Sequence, residues 1–334
     1  MNLVHPETPE DLARSLAESA GGGQTIHLGG NFSKERLAGP VAPADVTIST
    51  SALGHVLRYE PRDLTISVEA GLAYADFRLL LAENRQMVPL DPPFAESATV
   101  GGVLAANHSG PRRRLYGSAR DLVIGMTFAT LEGKLVQSGG MVVKNVAGLD
   151  MGKLMIGSFG TLAAIAVVNF KLAPIPPASR TFVMEFTAAA DAARRRDEIL
   201  TSTLQPAAID LLNPRASAQI GLEGFALLLQ AAGNPAVIER YTRELPGARL
   251  FEGDAEETLW TKIREYAPAF LARQPEGVMA RVSVTLSQVR EVLESMPGEG
   301  VARAGTGVCY AYLADRQSAA AWTREAQARG WRYA

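Results

Sequence analysis

The chain has 334 residues, 47% of them hydrophobic and 20% charged, and its 33 basic and 35 acidic residues leave a formal net charge of −2. This balance excludes a long disordered tract and any overall field that would recruit nucleic acid or an anionic membrane, while the length allows two domains. Cys309 is the single cysteine, which excludes an internal disulfide and an iron–sulfur cluster held by four thiolates of this chain. The opening Met1 to Glu7 lacks the basic flank and apolar core of a signal peptide, and no apolar run reaches the roughly 18 residues of a membrane span, so a cytoplasmic location without a transmembrane segment is expected.

Taken in order, Glu7 to Ala20 has helical spacing, with Leu12, Leu16 and Ala20 on one face and Thr8 placed to cap it before Pro9. A short strand, Thr25 to Leu28, runs into Gly29-Gly30-Asn31-Phe32-Ser33-Lys34, a loop suited to clasping a diphosphate through backbone donors. Neither a Walker A pattern nor a G-x-G-x-x-G fingerprint is present. Strands follow at Val46–Ile48, Leu57–Glu60 and Leu64–Glu69, then a helix over Tyr74–Asn84 and an extended, proline-stiffened stretch through Leu90-Asp91-Pro92-Pro93.

The most informative stretch runs from Ala98 to Leu172. Thr99 is placed to cap a short helix with Gly101 and Gly102 in its first turn, where unpaired N–H groups favour an anion. Asn107-His108-Ser109-Gly110 leads to a loop carrying Arg112, Arg113 and Arg114, then to a strand over Leu122–Leu131 that turns at Glu132-Gly133. After Lys144-Asn145-Val146-Ala147-Gly148, a second glycine turn, Gly157 to Leu162, feeds a strand over Ala163–Leu172. Together these turns suggest a large, flat, phosphate-bearing ligand. Ala173-Pro174-Ile175-Pro176-Pro177 is a stiff linker, which divides the chain into domains at 1–176 and 178–334. Beyond it, alternating strands and helices, among them a helix from Ala255 to about Ala272, predict an antiparallel sheet covered by helices on one face.

Leu90-Asp91-Pro92-Pro93, Ala98-Thr99-Val100-Gly101-Gly102, Ser109-Gly110-Pro111-Arg112-Arg113, Gly117-Ser118-Ala119-Arg120-Asp121, Lys144 to Gly148 and Leu154 to Leu162 resemble the FAD-binding domain of the p-cresol methylhydroxylase (PCMH) type. Within that family they are most similar to the smaller flavin-binding subunits of bacterial glycolate oxidases. The resemblance implies an α+β architecture: an FAD-binding domain of two α+β subdomains, followed by an antiparallel-sheet α+β cap domain. By position it assigns cofactor contacts to Gly29, Gly30, Asn31, Phe32, Ser33 and Lys34, to Pro92, to Thr99, Val100, Gly101 and Gly102, to Asn107, Ser109 and Gly110, and to Gly160, Thr161, Ala164 and Ile165. It also implies FAD, expected to be noncovalent because the Gly29–Lys34 loop contains no histidine, a small 2-hydroxy acid as substrate, and work alongside a larger flavoprotein subunit and an iron–sulfur subunit. The sequence departs from the family pattern at Asn31-Phe32, Leu149 and Ala163.

The residues name no proton acceptor. The four histidines are His5, His27, His55 and His108, and none follows residue 108. His27 reads as a packed or surface residue, and His108 as a structural hydrogen-bonding one. Asp91 and Asp121 read as turn or strand-end carboxylates, Asp150 as the cap of a short helix, Lys144 and Lys153 as solvated, and Cys309 as a small core residue. Three functions stay open: an FAD subunit dependent on partners, a self-sufficient FAD-dependent oxidoreductase, and a structural subunit that has lost its flavin.

Overall fold

The computed structural model describes residues 2–37, 39–108, 110–141 and 149–333, which form two compact units. The first comprises the described residues of 2–108 and 117–175, and the second those of 110–116 and 176–333. The Lys144 to Gly148 motif and Ser109 lie outside the described residues.

In the first unit, β1 (Asn2–Val4), β2 (Ile26–Gly29) and β3 (Val46–Ser49) form a parallel sheet of order β1-β3-β2. Helix α1 (Pro9–Gly21) starts where Thr8 accepts the Asp11 N–H at 3.0 Å, and proline at the first helical position leaves no hydrogen bond unmade. Leu12, Ala13 and Leu16 pack with Val46, Ile48, Ala164 and Ala166 in a small core. A five-stranded antiparallel sheet is built from β4 (Val56–Glu60), β5 (Thr65–Glu69), β7 (Val123–Ala129), β8 (Leu135–Gly139) and β9 (Ala164–Lys171), in the order β4-β5-β9-β7-β8. Every residue of β5 is buried, as its place between two strands and beneath a core requires. Helices α2 (Tyr74–Glu83) and α3 (Val100–Ala106) share this core, and β6 (Gln86–Met87) pairs with β10 (Ala173–Pro174). The expected strand from Leu122 begins one residue later, because Ser118 and Asp121 form a capping box on the single turn α5 (Ala119–Leu122). Asp150 accepts the Lys153 N–H at 3.2 Å, at the start of the short α6 (Gly152–Met155).

The arginine-bearing turn α4 (Arg113–Tyr116) is helical and belongs to the second unit, where Arg114 meets Gln205 at 3.3 Å. A Cβ added to Gly305 would lie 2.4 Å from the Arg114 Cδ, so the arginine stem lies directly on that backbone.

The rest of this unit is an eight-stranded antiparallel sheet of order β14-β11-β13-β12-β16-β17-β15-β18. Its strands are β11 (Ala178–Phe186), β12 (Ala208–Leu212), β13 (Phe225–Gly233), β14 (Arg249–Phe251), β15 (Val278–Ser283), β16 (Glu299–Arg303), β17 (Val308–Leu313) and β18 (Arg332–Tyr333). Helices α7 (Ala189–Thr201), α9 (Pro235–Glu244), α12 (Val289–Ser295) and α13 (Arg316–Ala328) pack on one face, around Phe182, Leu211, Leu227, Leu229 and Cys309.

The expectation of helices on one face only needs correction. Alternation along β11 turns Thr181 away from Phe182, and the Trp260 Nε1–H donates to the Thr181 Oγ1 at 2.7 Å from the other side. That second face also carries Tyr312, whose ring packs against Tyr266 and Phe270. The single helix expected over Ala255–Ala272 is two, α10 (Gly253–Arg264) and α11 (Tyr266–Arg273). The break at Glu265 puts Pro268 in a first turn, where its missing N–H costs nothing. A short helix, α8 (Pro214–Ile220), escapes the sequence reading although Asn213-Pro214 and Gly221 are its punctuation.

Candidate functional site

Three backbone segments of the first unit converge on a cavity of about 580 Å³: residues 26–35, the start of α3, and residues 158–165. A volume of several hundred Å³ is that of a cofactor or metabolite site.

The first segment is anchored through its carbonyls. The Ser49 hydroxyl donates to the Gly30 carbonyl at 2.9 Å and the Thr50 hydroxyl to the Gly29 carbonyl at 3.4 Å, both from the end of β3. Beyond them the N–H groups of Asn31, Phe32 and Ser33 donate to no described residue. Consecutive open N–H groups with the neighbouring carbonyls tied back make a concavity selective for anions. Phe32 sits in the left-handed region at φ 53°, a conformation that costs a non-glycine residue about 1 kcal/mol. Both glycines are demanded by packing: a Cβ on Gly29 would lie 2.5 Å from the Phe32 ring, and one on Gly30 2.2 Å from the Thr99 Oγ1.

The second segment differs from its expected chemistry. The Val100 N–H donates to Leu72, Gly101 to Ala70 at 2.7 Å, Gly102 to the Thr99 Oγ1 at 3.2 Å and Val103 to the Thr99 carbonyl at 3.0 Å. Thr99 caps the helix as anticipated, but the expected unpaired donors are all engaged. A Cβ on Gly101 would lie 2.8 Å from the Ala70 Cβ, so this glycine serves contact between α3 and the end of β5.

The third segment is stitched to the end of α3 by the N–H groups of Gly157 and Phe159, which donate to Leu104 and Ala105 at 3.1 and 3.0 Å. Gly160, at φ 75°, turns the chain against Leu28, and Ala163 is buried beside the cavity with its methyl group among the lining atoms.

The structure thus brings together Gly29, Gly30, Asn31, Phe32, Ser33 and Lys34 with Thr99, Gly101 and Gly102, and with Gly160, Thr161, Ala164 and Ile165. Val100 and Pro92 are buried outside the lining, Asn107 closes α3 in the left-handed conformation, and Gly110 belongs to the second unit. The Asn107 Oδ1 is buried without a hydrogen-bond partner. Beyond the assigned contacts the lining includes His27, read from the sequence as a packed or surface residue, and Glu35; the two flank the loop and meet each other at 3.0 Å.

The remaining chemistry is structural. Asp121 is held by the Ser118 N–H and hydroxyl, Asp150 pairs with Lys153, and His55 with Glu69. Burial pushes the Cys309 thiol up to about 12, so it is no thiolate at neutral pH. In the second unit Arg303 pairs with the buried Asp210, and Glu256 accepts from Ser179, Thr181 and Gln230. Among the described residues no group of three or more His, Cys, Asp or Glu is placed to hold a metal ion, and no helix is long and apolar enough to cross a membrane.

Open donors and glycines at close approach fit a diphosphate-bearing cofactor. The model of a family described as an FAD binding domain matches residues 2–139. The chain is 33% identical over 258 residues to the glycolate oxidase subunit GlcE of Escherichia coli (strain K12), covering 76% of this chain and 67% of that protein. It is 26% identical over 316 residues to the glycolate oxidase subunit GlcD of Bacillus subtilis (strain 168), covering 88% and 67%. A solved alkyldihydroxyacetonephosphate synthase shares the fold with a TM-score of 0.80 at 16% identity, over 99% of this chain and 71% of that one. Such a fold and cavity define a flavoprotein. The chain belongs to the FAD-binding PCMH-type family of FAD-dependent oxidoreductases.

Proposed function

We propose that this protein is the FAD-binding subunit of a glycolate oxidase-like complex that oxidises a small 2-hydroxy acid and passes the electrons to a partner. Residues 1–176 serve as the FAD-binding domain and 178–334 as the cap. The observation that carries the reading is the Gly29–Lys34 loop, whose open N–H groups and buried Lys34 suit the FAD diphosphate. In this reading Gly160, Thr161, Ala164 and Ile165 flank the adenosine side of the cofactor. Pro92 and Asn107 take the flavin side in this reading. Thr99, Val100, Gly101 and Gly102 support the loop from behind, since their N–H groups are engaged within the fold.

Oxidation of a 2-hydroxy acid to the 2-oxo acid removes the C–H hydrogen with two electrons and releases the hydroxyl proton. FAD, when bound, supplies the two-electron acceptor. The proton needs a base, and no histidine of this chain follows residue 108, which supports a division of labour with a larger flavoprotein subunit. The lone cysteine supports an iron–sulfur subunit as the onward electron carrier.

Purified native protein is expected to be yellow and to release its flavin on heating or acidification. Expressed alone and assayed with glycolate or D-lactate and an artificial acceptor, it is expected to turn over far more slowly than with its partner subunits. Equal turnover by the lone chain would replace this reading with that of a self-sufficient oxidoreductase.

A further inference from the structure

The loop with the open N–H groups is tied at its start by Ser49 and Thr50, and at its exit the Glu35 N–H donates to the Phe32 carbonyl at a long 3.3 Å. Two glycines precede the donors, and ordering such a segment at the moment of binding costs affinity. His27 is the second-last residue before Gly29, and Glu35 is the first after Lys34. The His27 Nε2 lies 3.0 Å from the Glu35 Oε1, and the imidazole packs on the Phe32 ring with centroids 4.8 Å apart at 49°. His27 therefore holds the exit of the loop through Glu35 and its middle through Phe32, and all three residues line the cavity.

We propose that His27 is a positioning residue for FAD, a clasp that joins the two ends of the Gly29–Lys34 loop and keeps its donors arrayed before the cofactor arrives. The inference rests on reading this cavity as the FAD site. It gives Glu35 a second consequence. A carboxylate lining a diphosphate site opposes its ligand, and engagement by the imidazole keeps that carboxylate occupied at the loop's exit. His27 touches neither substrate nor reacting atoms in this scheme and acts only through the loop.

The test uses the full chain stripped of flavin, with FAD titrated by fluorescence quenching and its release followed in time. His27→Ala is expected to weaken FAD binding about fivefold, the scale of a partly exposed pair, chiefly through faster release, and Glu35→Ala to weaken it less, because it loses the clasp and the opposing carboxylate together. The double variant is expected to bind no more weakly than the worse single one, because both remove the same contact. His27→Gln, which keeps a donor for Glu35, is expected to recover most of the loss, and the apo melting temperature of all four is expected to match the parent. Gly30→Val reports separately on the cavity reading: unchanged FAD binding there overturns the site itself. If Gly30→Val abolishes binding while His27→Ala leaves it unchanged, the clasp is wrong. Multiplying losses in the double variant, or affinity that falls only in step with apo stability, also overturn it.

Discussion

The Gly29–Lys34 loop and the Thr99–Gly102 turn border the same cavity, each with a glycine pair and a nearby hydroxyl, yet their N–H groups go to opposite places. In the first, Ser49 and Thr50 fix the carbonyls and leave the next donors open; in the second, Ala70, Leu72 and Thr99 take every donor of the helical turn. Two glycine signatures of equal appearance therefore have different duties. One leaves backbone donors open beside the cavity, and the other spends its donors within the protein. The glycines report close approach in both cases, and only the hydrogen-bond partners tell what approaches.

Valine substitutions separate the two most sharply. Gly30→Val is expected to cut FAD affinity on the order of a hundredfold, because the new side chain drives the loop off Thr99. Gly101→Val instead forces α3 away from Ala70 and is expected to cost the first unit roughly 2 kcal/mol of stability. Hydrogen exchange across Thr65–Glu69 would register that loss, and flavin content of the folded protein should outlast it. Flavin loss from Gly101→Val with unchanged exchange would erase the distinction.

A smaller effect comes from the cap. Thr99→Ala removes the acceptor of the Gly102 N–H and is expected to cost about 1 kcal/mol, read as a lowered melting temperature. The freed N–H then faces the cavity, so FAD affinity should fall less than stability does.

The smallest effect lies at the entry to the loop, where Asp45 accepts from the Thr25 hydroxyl and N–H at 2.7 and 2.8 Å. The hydroxyl hydrogen bond, followed by the backbone one, holds the Asp45 carboxyl below its ordinary value. A carboxyl lowered in the fold lends stability above its unfolded value and loses it as pH falls through the folded one. Asp45→Asn should therefore lower the melting temperature slightly at neutral pH, with the difference from the parent fading as the pH falls through the carboxylate range.

Much of the fold is legible in residue order. Thr8-Pro9 announces α1, Thr99 announces α3, and the β-branched run around Ile66 announces a buried strand, because each signal acts within a few residues of itself. The loop at Gly29–Lys34 is legible for the same reason. What escapes is set by partners distant in sequence. The donors of Gly101 and Val100 are taken by residues of another strand end, which local pattern cannot foresee. The Trp260–Thr181 contact that puts α10 on the second face joins residues 79 apart in sequence. His27 and Glu35 lie on either side of a recognised motif, and their mutual distance depends on how the loop turns between them. The family resemblance supplies the cofactor, but not which of two glycine turns presents its donors.

The turn around Arg114 has a consequence for how the molecule is made. Residues 110–116 are translated well before Gln205 and Gly305, the groups on which Arg114 rests, while the strands of the first unit that follow them come off the ribosome in between. A nascent chain therefore cannot complete one unit and then begin the other. The arginine turn must wait, tethered at both ends, until the sheet that receives it exists, and a gene cut at the proline linker would leave the second unit without this turn while the first product carried it unplaced.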